Sequence, residues 1–137
     1  MATTTPQAEV KISLVQADAL ALHADVLVLK YAQALYGVDA QVVTRLDGSR
    51  AQVFEPVLLP PVGSVSLVDS RGLLGAREVL LVGVVPLGEF QYAEIREFAR
   101  GSLRALRGKT AEHVAMTLHG VGSVSMKLRR SALSWQA

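Results

Sequence analysis

The sequence contains no cysteine, and only 5% of its 137 residues are aromatic and 19% charged. Without cysteine there are no disulfides, no thiolate nucleophiles and no thiolate metal ligands, which fits a reducing compartment. No apolar run approaches the roughly 20 residues that a transmembrane helix needs, and the polar segment 1–9 lacks the apolar stretch of a secretion signal. We therefore expect a cytoplasmic protein that has no membrane partner and begins with a flexible leader, residues 1–9.

Hydrophobic residues make up half of the chain, and its length is typical of one domain that buries a core. This composition excludes a disordered chain. The formal net charge is only +2, so the total charge gives no reason to expect nucleic acid as a partner. Basic residues are concentrated in 101–137, where the single acid is Glu112. That region is predicted to be either a solvated face with a basic tail or an anion-attracting surface.

Apolar runs alternate along the chain with segments of helical spacing. Strands are predicted at 10–15, 25–31, 64–68, 79–85 and 113–118, with 57–59 as a candidate edge strand. Helices are predicted at 37–46, closed by turn residues 47–49, at 91–107 and at 126–135. The alternation predicts an α/β fold, specifically a three-layer α/β/α sandwich around a mixed sheet. Residues 10–124 are assigned to this domain and 125–137 to a C-terminal helix or basic tail.

The glycine-containing segment His119-Gly120-Val121-Gly122-Ser123 directly follows the predicted strand 113–118. We expect it at the carboxyl edge of the sheet, where open α/β sheets bind ligands. Two glycines one residue apart let backbone N–H groups approach an anion, and a helix starting near Ser125 would add the partial charge of its first turn. A tight turn that needs positive φ explains the same glycines, and Gly-x-Gly alone is a weak motif.

Three carboxylates, Asp18, Asp25 and Asp39, lie near predicted strand ends. Asp18 is a candidate to accept a hydrogen bond from an amino group of a ligand, while N-caps or turns also explain Asp25 and Asp39. His113 and His119 bound one strand about 20 Å apart, too far to share a metal ion. No oriented base accompanies any serine, so the sequence gives no positive support for an enzyme. We expect no metal site and no cofactor.

Several stretches resemble known macro-type domains. Residues 16–19 and 24–28, followed by Gly37-Val38-Asp39, resemble the opening of macro domains. Residues 78–85 and 115–122 resemble the two central strands of that family, the second of which ends in the glycine loop that holds the diphosphate of ADP-ribose. The segment 76–83, with the helix behind it, is also similar to the N-terminal domain of leucine aminopeptidases, which is itself macro-like.

The resemblance implies a ligand of the ADP-ribose type or another phosphorylated small molecule. Asp18 stands where macro domains contact adenine, and Gly120, Val121 and Gly122 stand where they hold the diphosphate. Asp39, His119 and Ser123 complete the predicted ligand site. Catalytic macro domains carry an Asn-Ala-Ala-Asn stretch and a glycine run, and residues 29–36 have neither. The resemblance therefore does not extend to the residues of ADP-ribosyl hydrolysis.

Three functions are consistent with these features. The leading prediction is a non-catalytic macro-like domain that senses a nucleotide-like or phosphate-bearing ligand, as do modules fused to bacterial defence and signalling effectors. The second is a structural or assembly module without a ligand, as in the N-terminal domain of leucine aminopeptidases. The third is an ADP-ribosyl hydrolase. The expected protein partners are a fused or separate effector or peptidase domain, or a second copy of the chain.

Overall fold

The computed structural model describes residues 10–35, 37–50, 59–117 and 124–130. The strands within these ranges are β1 Val10–Gln16, β2 Ala24–Tyr31, β3 Val65–Asp69, β4 Ala76–Gly83, β5 His113–Thr117 and β6 Val124–Arg130. The helices are α1 Gly37–Arg50 and α2 Tyr92–Leu106. A short 3₁₀ turn at Leu87–Glu89 precedes α2.

The strands form one mixed, open sheet in the order β1-β6-β5-β2-β4-β3. Strands β5, β2 and β4 run parallel to one another, and β3 and β6 join them antiparallel. β1 pairs antiparallel with β6 and therefore runs in the same direction as the three central strands. The prediction that the three most apolar runs are adjacent central strands is confirmed. Continuous apolar runs identify these strands because their residues are buried on both faces of the sheet.

Alternate residues of the central strands enter two separate apolar clusters. Leu27 and Leu29 of β2 belong to a cluster that includes Val42, Val43 and Leu46 of α1. Val26 and Val28 belong to the other, together with the α2 residues Phe98 and Leu106. The two helices therefore pack through different faces of β2. Leu27 and Leu29 are fully buried, and each such side chain contributes about 1.5–3 kcal/mol of transfer free energy.

Helix α2 has well-defined ends. The Glu94 carboxylate accepts a hydrogen bond from the Gln91 N–H at 2.9 Å, which forms half of a capping box. Gly108, with φ of +80°, follows the last turn. The predicted apolar stripe is only partly buried, because Tyr92 and Ile95 are 73% and 41% exposed. The apolar stripe therefore contacts the sheet mainly through the later turns of α2.

Two predicted elements are corrected by the structure. Residues 124–130 form β6, where a helix was predicted over 126–135. Val124, Met126 and Leu128 alternate with polar residues, a period of two that favours a strand, and residues 124–130 pair with β1 and β5. The turn predicted at 47–49 is also wrong, since α1 continues to Arg50.

Some predictions fall outside the described residues. These are the leader 1–9, residues 57 and 58 of the candidate edge strand, and residues 131–135 of the predicted last helix. Leu59, the last residue of that candidate strand, is not in a strand. No helix in the described part of the chain is long and apolar enough to cross a membrane.

Candidate functional site

The carboxyl edge of the sheet brings together the ends of the three parallel strands. Strands β2, β4 and β5 end there at Tyr31, Gly83 and Thr117. Helix α1 begins at Gly37, six residues after the end of β2, and therefore starts from the same edge. We call the opposite edge, where the same three strands begin, the amino edge.

Asp39 lies in the first turn of α1 and is only 7% exposed. It is three, four and seven residues from Val42, Val43 and Leu46, so it shares the helix face that packs on the sheet. Burial raises the pKa of its carboxyl to about 6, against the opposing effect of the Lys30 charge. Close to neutral pH this group is therefore able both to accept a hydrogen bond and, when protonated, to donate one.

Thr117 is the last residue of β5 and is 8% exposed. Ala115, two residues earlier, belongs to the cluster on the α1 side, so the Thr117 side chain points to that side as well. Its buried Oγ1 has no hydrogen-bond partner among the described residues. A buried hydroxyl without a partner costs about 1–3 kcal/mol. The position is therefore suited to a group that the described chain does not supply.

The Gln33 side chain joins the ends of β2 and β4. Its Nε2 lies 3.4 Å from the Tyr31 carbonyl oxygen, 3.3 Å from that of Pro60 and 3.2 Å from that of Val84. Gln33 has a φ of +62°, which is uncommon for a residue other than glycine. This contact network holds the segment before β3 against the ends of β2 and β4.

Gly83 allows the same segment to approach β4 closely. A Cβ at this position would clash with the Pro61 carbonyl oxygen and would lie 2.7 Å from that of Pro60. The Gly83 N–H also donates to the Ser64 carbonyl oxygen at 2.8 Å. Residues 60–64 therefore cover the carboxyl end of β4.

Of the six other predicted site residues, only Asp18 lies within the residues that the structure describes. Asp18 is exposed, and its Oδ1 accepts the Leu20 N–H at 3.0 Å. Its carbonyl oxygen accepts the N–H groups of Ala21 and Leu22, so Asp18 shapes the turn after β1. His119, Gly120, Val121, Gly122 and Ser123 lie outside the described residues.

The ends of the two strands that flank the glycine segment in sequence show at which edge of the sheet that segment is attached. β5 ends at Thr117 and its antiparallel neighbour β6 begins at Val124, so both flanking ends lie at the carboxyl edge. The predicted helix start near Ser125 is wrong, because Ser125 is part of β6. The partial positive charge of a helix start is therefore not available at that position.

Asp25, at the amino edge, uses its carboxylate to hold neighbouring strands together. Its Oδ2 accepts the N–H groups of Glu112 at 2.8 Å and His113 at 2.9 Å, and Oδ1 accepts from the Arg77 guanidinium at 3.3 Å. Partial burial acts to raise the pKa of Asp25. The two N–H donors and the nearby charges of Arg77 and His113 outweigh it and hold the pKa below its usual value. Asp25 thus ties β2 to β4 and β5.

A cavity of about 260 Å³ opens at the amino edge on the α2 side, and none of the predicted site residues lines it. Leu80 and Leu106 line it together with Asp25 and Arg77. Because those two charged groups already bind each other, we do not assign the ligand site there. Among the described residues no cluster of His, Asp and Glu is suited to hold a metal ion.

Sequence reasoning missed Lys30, Gln33 and Thr117 at the carboxyl edge. Lys30 and Thr117 are polar residues near the ends of buried apolar runs, and that break in pattern was a usable signal. Gln33 carried no such signal, because its three carbonyl partners are brought together by the fold. Compared with the models of known protein families and with curated protein sequences, the chain gives no match.

Proposed function

We propose that this chain is a macro-like domain that binds a nucleotide-like or phosphate-bearing ligand of the ADP-ribose type at the carboxyl edge. The observation that carries the proposal is the pair of buried polar groups on the α1 side, the Asp39 carboxyl and the Thr117 hydroxyl. Open α/β sheets bind ligands at this edge. As a non-catalytic module in the cytoplasm, the domain would serve as a sensor or regulatory unit.

The sheet supports the macro-like part of the proposal. The resemblance implied that the strands within 24–28, 78–85 and 115–122 are buried and central, and β2, β4 and β5 are adjacent. Apolar clusters on opposite faces of β2 include residues of α1 and of α2. Both features are those expected of a three-layer α/β/α sandwich.

The polar groups at the carboxyl edge suit different parts of such a ligand. The Asp39 carboxylate would repel a phosphate but accepts a hydrogen bond from a sugar hydroxyl or an amino group. The Thr117 hydroxyl is able to donate or accept. The phosphates would bind the backbone N–H groups of Gly120, Val121 and Gly122, with His119 and Ser123 beside them. Asp18 is not included, because the Leu20 carbonyl oxygen in its turn accepts the Gly75 N–H at 2.8 Å beside the start of β4, at the amino edge.

Titration calorimetry and thermal shift with ADP-ribose, NAD, AMP and inorganic phosphate test the proposal. We expect ADP-ribose to bind and to raise stability by about 2.7 kcal/mol at 100 times its dissociation constant. Thr117→Val removes the hydroxyl and keeps the shape, so affinity should fall about tenfold, the equivalent of one hydrogen bond. Thr44→Val, at an exposed position of α1, is the matched control and should leave affinity unchanged.

The glycine loop has a separate test. Gly122→Val should abolish binding of ADP-ribose and leave the domain folded, because a Cβ would block approach to the backbone N–H groups. An unfolded variant would make the glycine structural. A folded variant with unchanged affinity would remove the loop from the site, and a wild type without affinity for any of the four ligands would overturn the proposal.

A second function, an assembly module like the N-terminal domain of leucine aminopeptidases, is favoured by a specific observation. Residues 60–64 cover the end of β4, and the Gln33 side chain hydrogen-bonds to the carbonyl oxygens of Pro60 and Val84. Under this alternative none of the four ligands changes the melting temperature. Thr117→Val then alters stability but no affinity.

A further inference from the structure

The two outer strands of the sheet differ in how their free edges are protected. β3 has five residues and one charged residue, Asp69, whereas β1 has seven residues and one charged residue, Lys11, and neither strand contains proline. Within the described ranges β1 pairs only with β6, so its other edge is open there. Short length and charge are devices that protect sheet edges from pairing with another chain. β1 is the less protected edge.

An apolar row leads from the core to this edge. Ile12 is in register with Leu128 of β6, which is in turn in register with the fully buried Val114 of β5. Leu14 is connected in the same way through Met126 to Met116. Ile12 and Leu14 are nevertheless 66% and 70% exposed. The face of the sheet that packs against α2 therefore continues onto β1, where its apolar side chains are exposed to solvent.

We propose that β1 pairs antiparallel with β1 of a second copy of this chain, about a twofold axis at Ser13. When all seven residues from Val10 to Gln16 of both copies pair, the central residue, Ser13, lies opposite Ser13 of the second copy. In this register Ile12 lies opposite Leu14 of the second copy, and the apolar row becomes continuous across the dimer. A twofold contact uses the same edge of both copies and closes at two subunits.

The charges of β1 fit a second copy. Lys11 lies opposite Val15 of the other chain, so no like charges face each other. The two Lys11 residues are four positions apart along the strands, about 13 Å, which exceeds the screening length of about 8 Å at physiological salt. The formal net charge of +2 adds little repulsion between copies.

Analytical ultracentrifugation of the full chain tests the proposal, and we expect twice the monomer mass. The double variant Ile12→Lys/Leu14→Lys should lose the dimer and keep its circular dichroism spectrum, because both positions are exposed. Val65→Lys, at a 47% exposed position on the other edge strand, is the matched control and should remain dimeric. A monomeric wild type, or a dimer that survives the double variant, would overturn the proposal.

Cysteine cross-linking tests the register, and the absence of native cysteine makes it unambiguous. Ser13→Cys on the axis should form a disulfide-linked dimer under mild oxidation. Lys11→Cys, four positions from its counterpart, should cross-link far more slowly, because disulfides need Cβ atoms about 4 Å apart. Equal rates would contradict the register. None of these outcomes depends on ligand binding, so this proposal and the proposed function stand or fall separately.

Discussion

The amino and carboxyl edges of one sheet use their acidic side chains in different ways. At the amino edge Asp25 accepts two backbone N–H groups and the Arg77 guanidinium, and its pKa is held below the usual value. At the carboxyl edge burial raises the pKa of Asp39 to about 6. The first arrangement joins strands and stabilises the fold. The second weakens the fold at neutral pH and is compatible with a role in binding.

The largest expected effect comes from the core that the two edges share. Leu81 is 1% exposed, and Leu81→Ala should lower the free energy of unfolding by about 2–5 kcal/mol, measured by urea denaturation. Leu81 carries no titratable group, so the shape of the stability–pH curve should remain that of the wild type. A different shape of the stability–pH curve in Leu81→Ala would mean that the packing of the core affects the pKa values of Asp25 or Asp39.

The next effect concerns Asp39 and the dependence of stability on pH. Its pKa is raised on folding, so between pH 3.8 and about 6 the folded chain holds a proton that the unfolded chain has released. This contribution to stability is complete below pH 3.8, falls as the pH rises, and is lost above pH 6. The total is on the order of 3 kcal/mol. Denaturant titrations from pH 4 to 8 measure it.

Asp39→Asn separates this effect from the rest of the titration. The variant should be more stable than the wild type by about 2–3 kcal/mol at pH 7 and should approach it at pH 4. Parallel curves for the two proteins would show that burial of Asp39 does not raise its pKa in solution.

Asp25 should show the opposite sign. Asp25→Ala removes the acceptor of two N–H groups and should cost about 2 kcal/mol at pH 7. Because the folded pKa is lowered, this contribution is present above the usual value near 3.8 and is lost as the pH falls through the folded pKa. The difference between variant and wild type should therefore shrink in acid. Asp25→Asn keeps one acceptor oxygen and should cost less.

The smallest effect is that of Thr117 without ligand. Thr117→Val removes a buried hydroxyl that has no partner among the described residues, so the free protein should gain about 1 kcal/mol. Thr44→Val, which is exposed, should change stability by less than about 0.5 kcal/mol. A loss of stability in Thr117→Val would mean that the hydroxyl has a partner in the free protein, and the comparison between the edges would weaken.

The central fold was predictable because its signals are local. The runs that became β2, β4 and β5 are apolar along nearly their whole length, and only burial on both faces explains such runs. β6 was not predictable in the same way. Val124, Met126 and Leu128 alternate with polar residues, which is the period of a strand, but β6 contains no continuous apolar run, and its place between β1 and β5 follows only from the fold.

The candidate site was predictable only in part. Asp39 was identified because it follows a strand and opens a helix, but its burial depends on the packing of α1. Asp25 was expected to cap or turn the chain, whereas its main partners, Glu112 and His113, lie far along the sequence and meet it only through the parallel pairing of β2 and β5.

Gln33 has one further consequence, which follows from counting hydrogens. Its amide nitrogen carries two hydrogens and has three carbonyl acceptors within 3.4 Å, those of Tyr31, Pro60 and Val84. At any instant one acceptor is left without a hydrogen from this donor, so small rotations of the amide exchange one partner for another at little cost. The Gln33 side chain is therefore able to release the Pro60 carbonyl oxygen while it keeps its contacts to the ends of β2 and β4. Gly63 and Ser64 stay bonded to Gly83 through their backbone, so such a release would loosen only the Pro60 end of the segment.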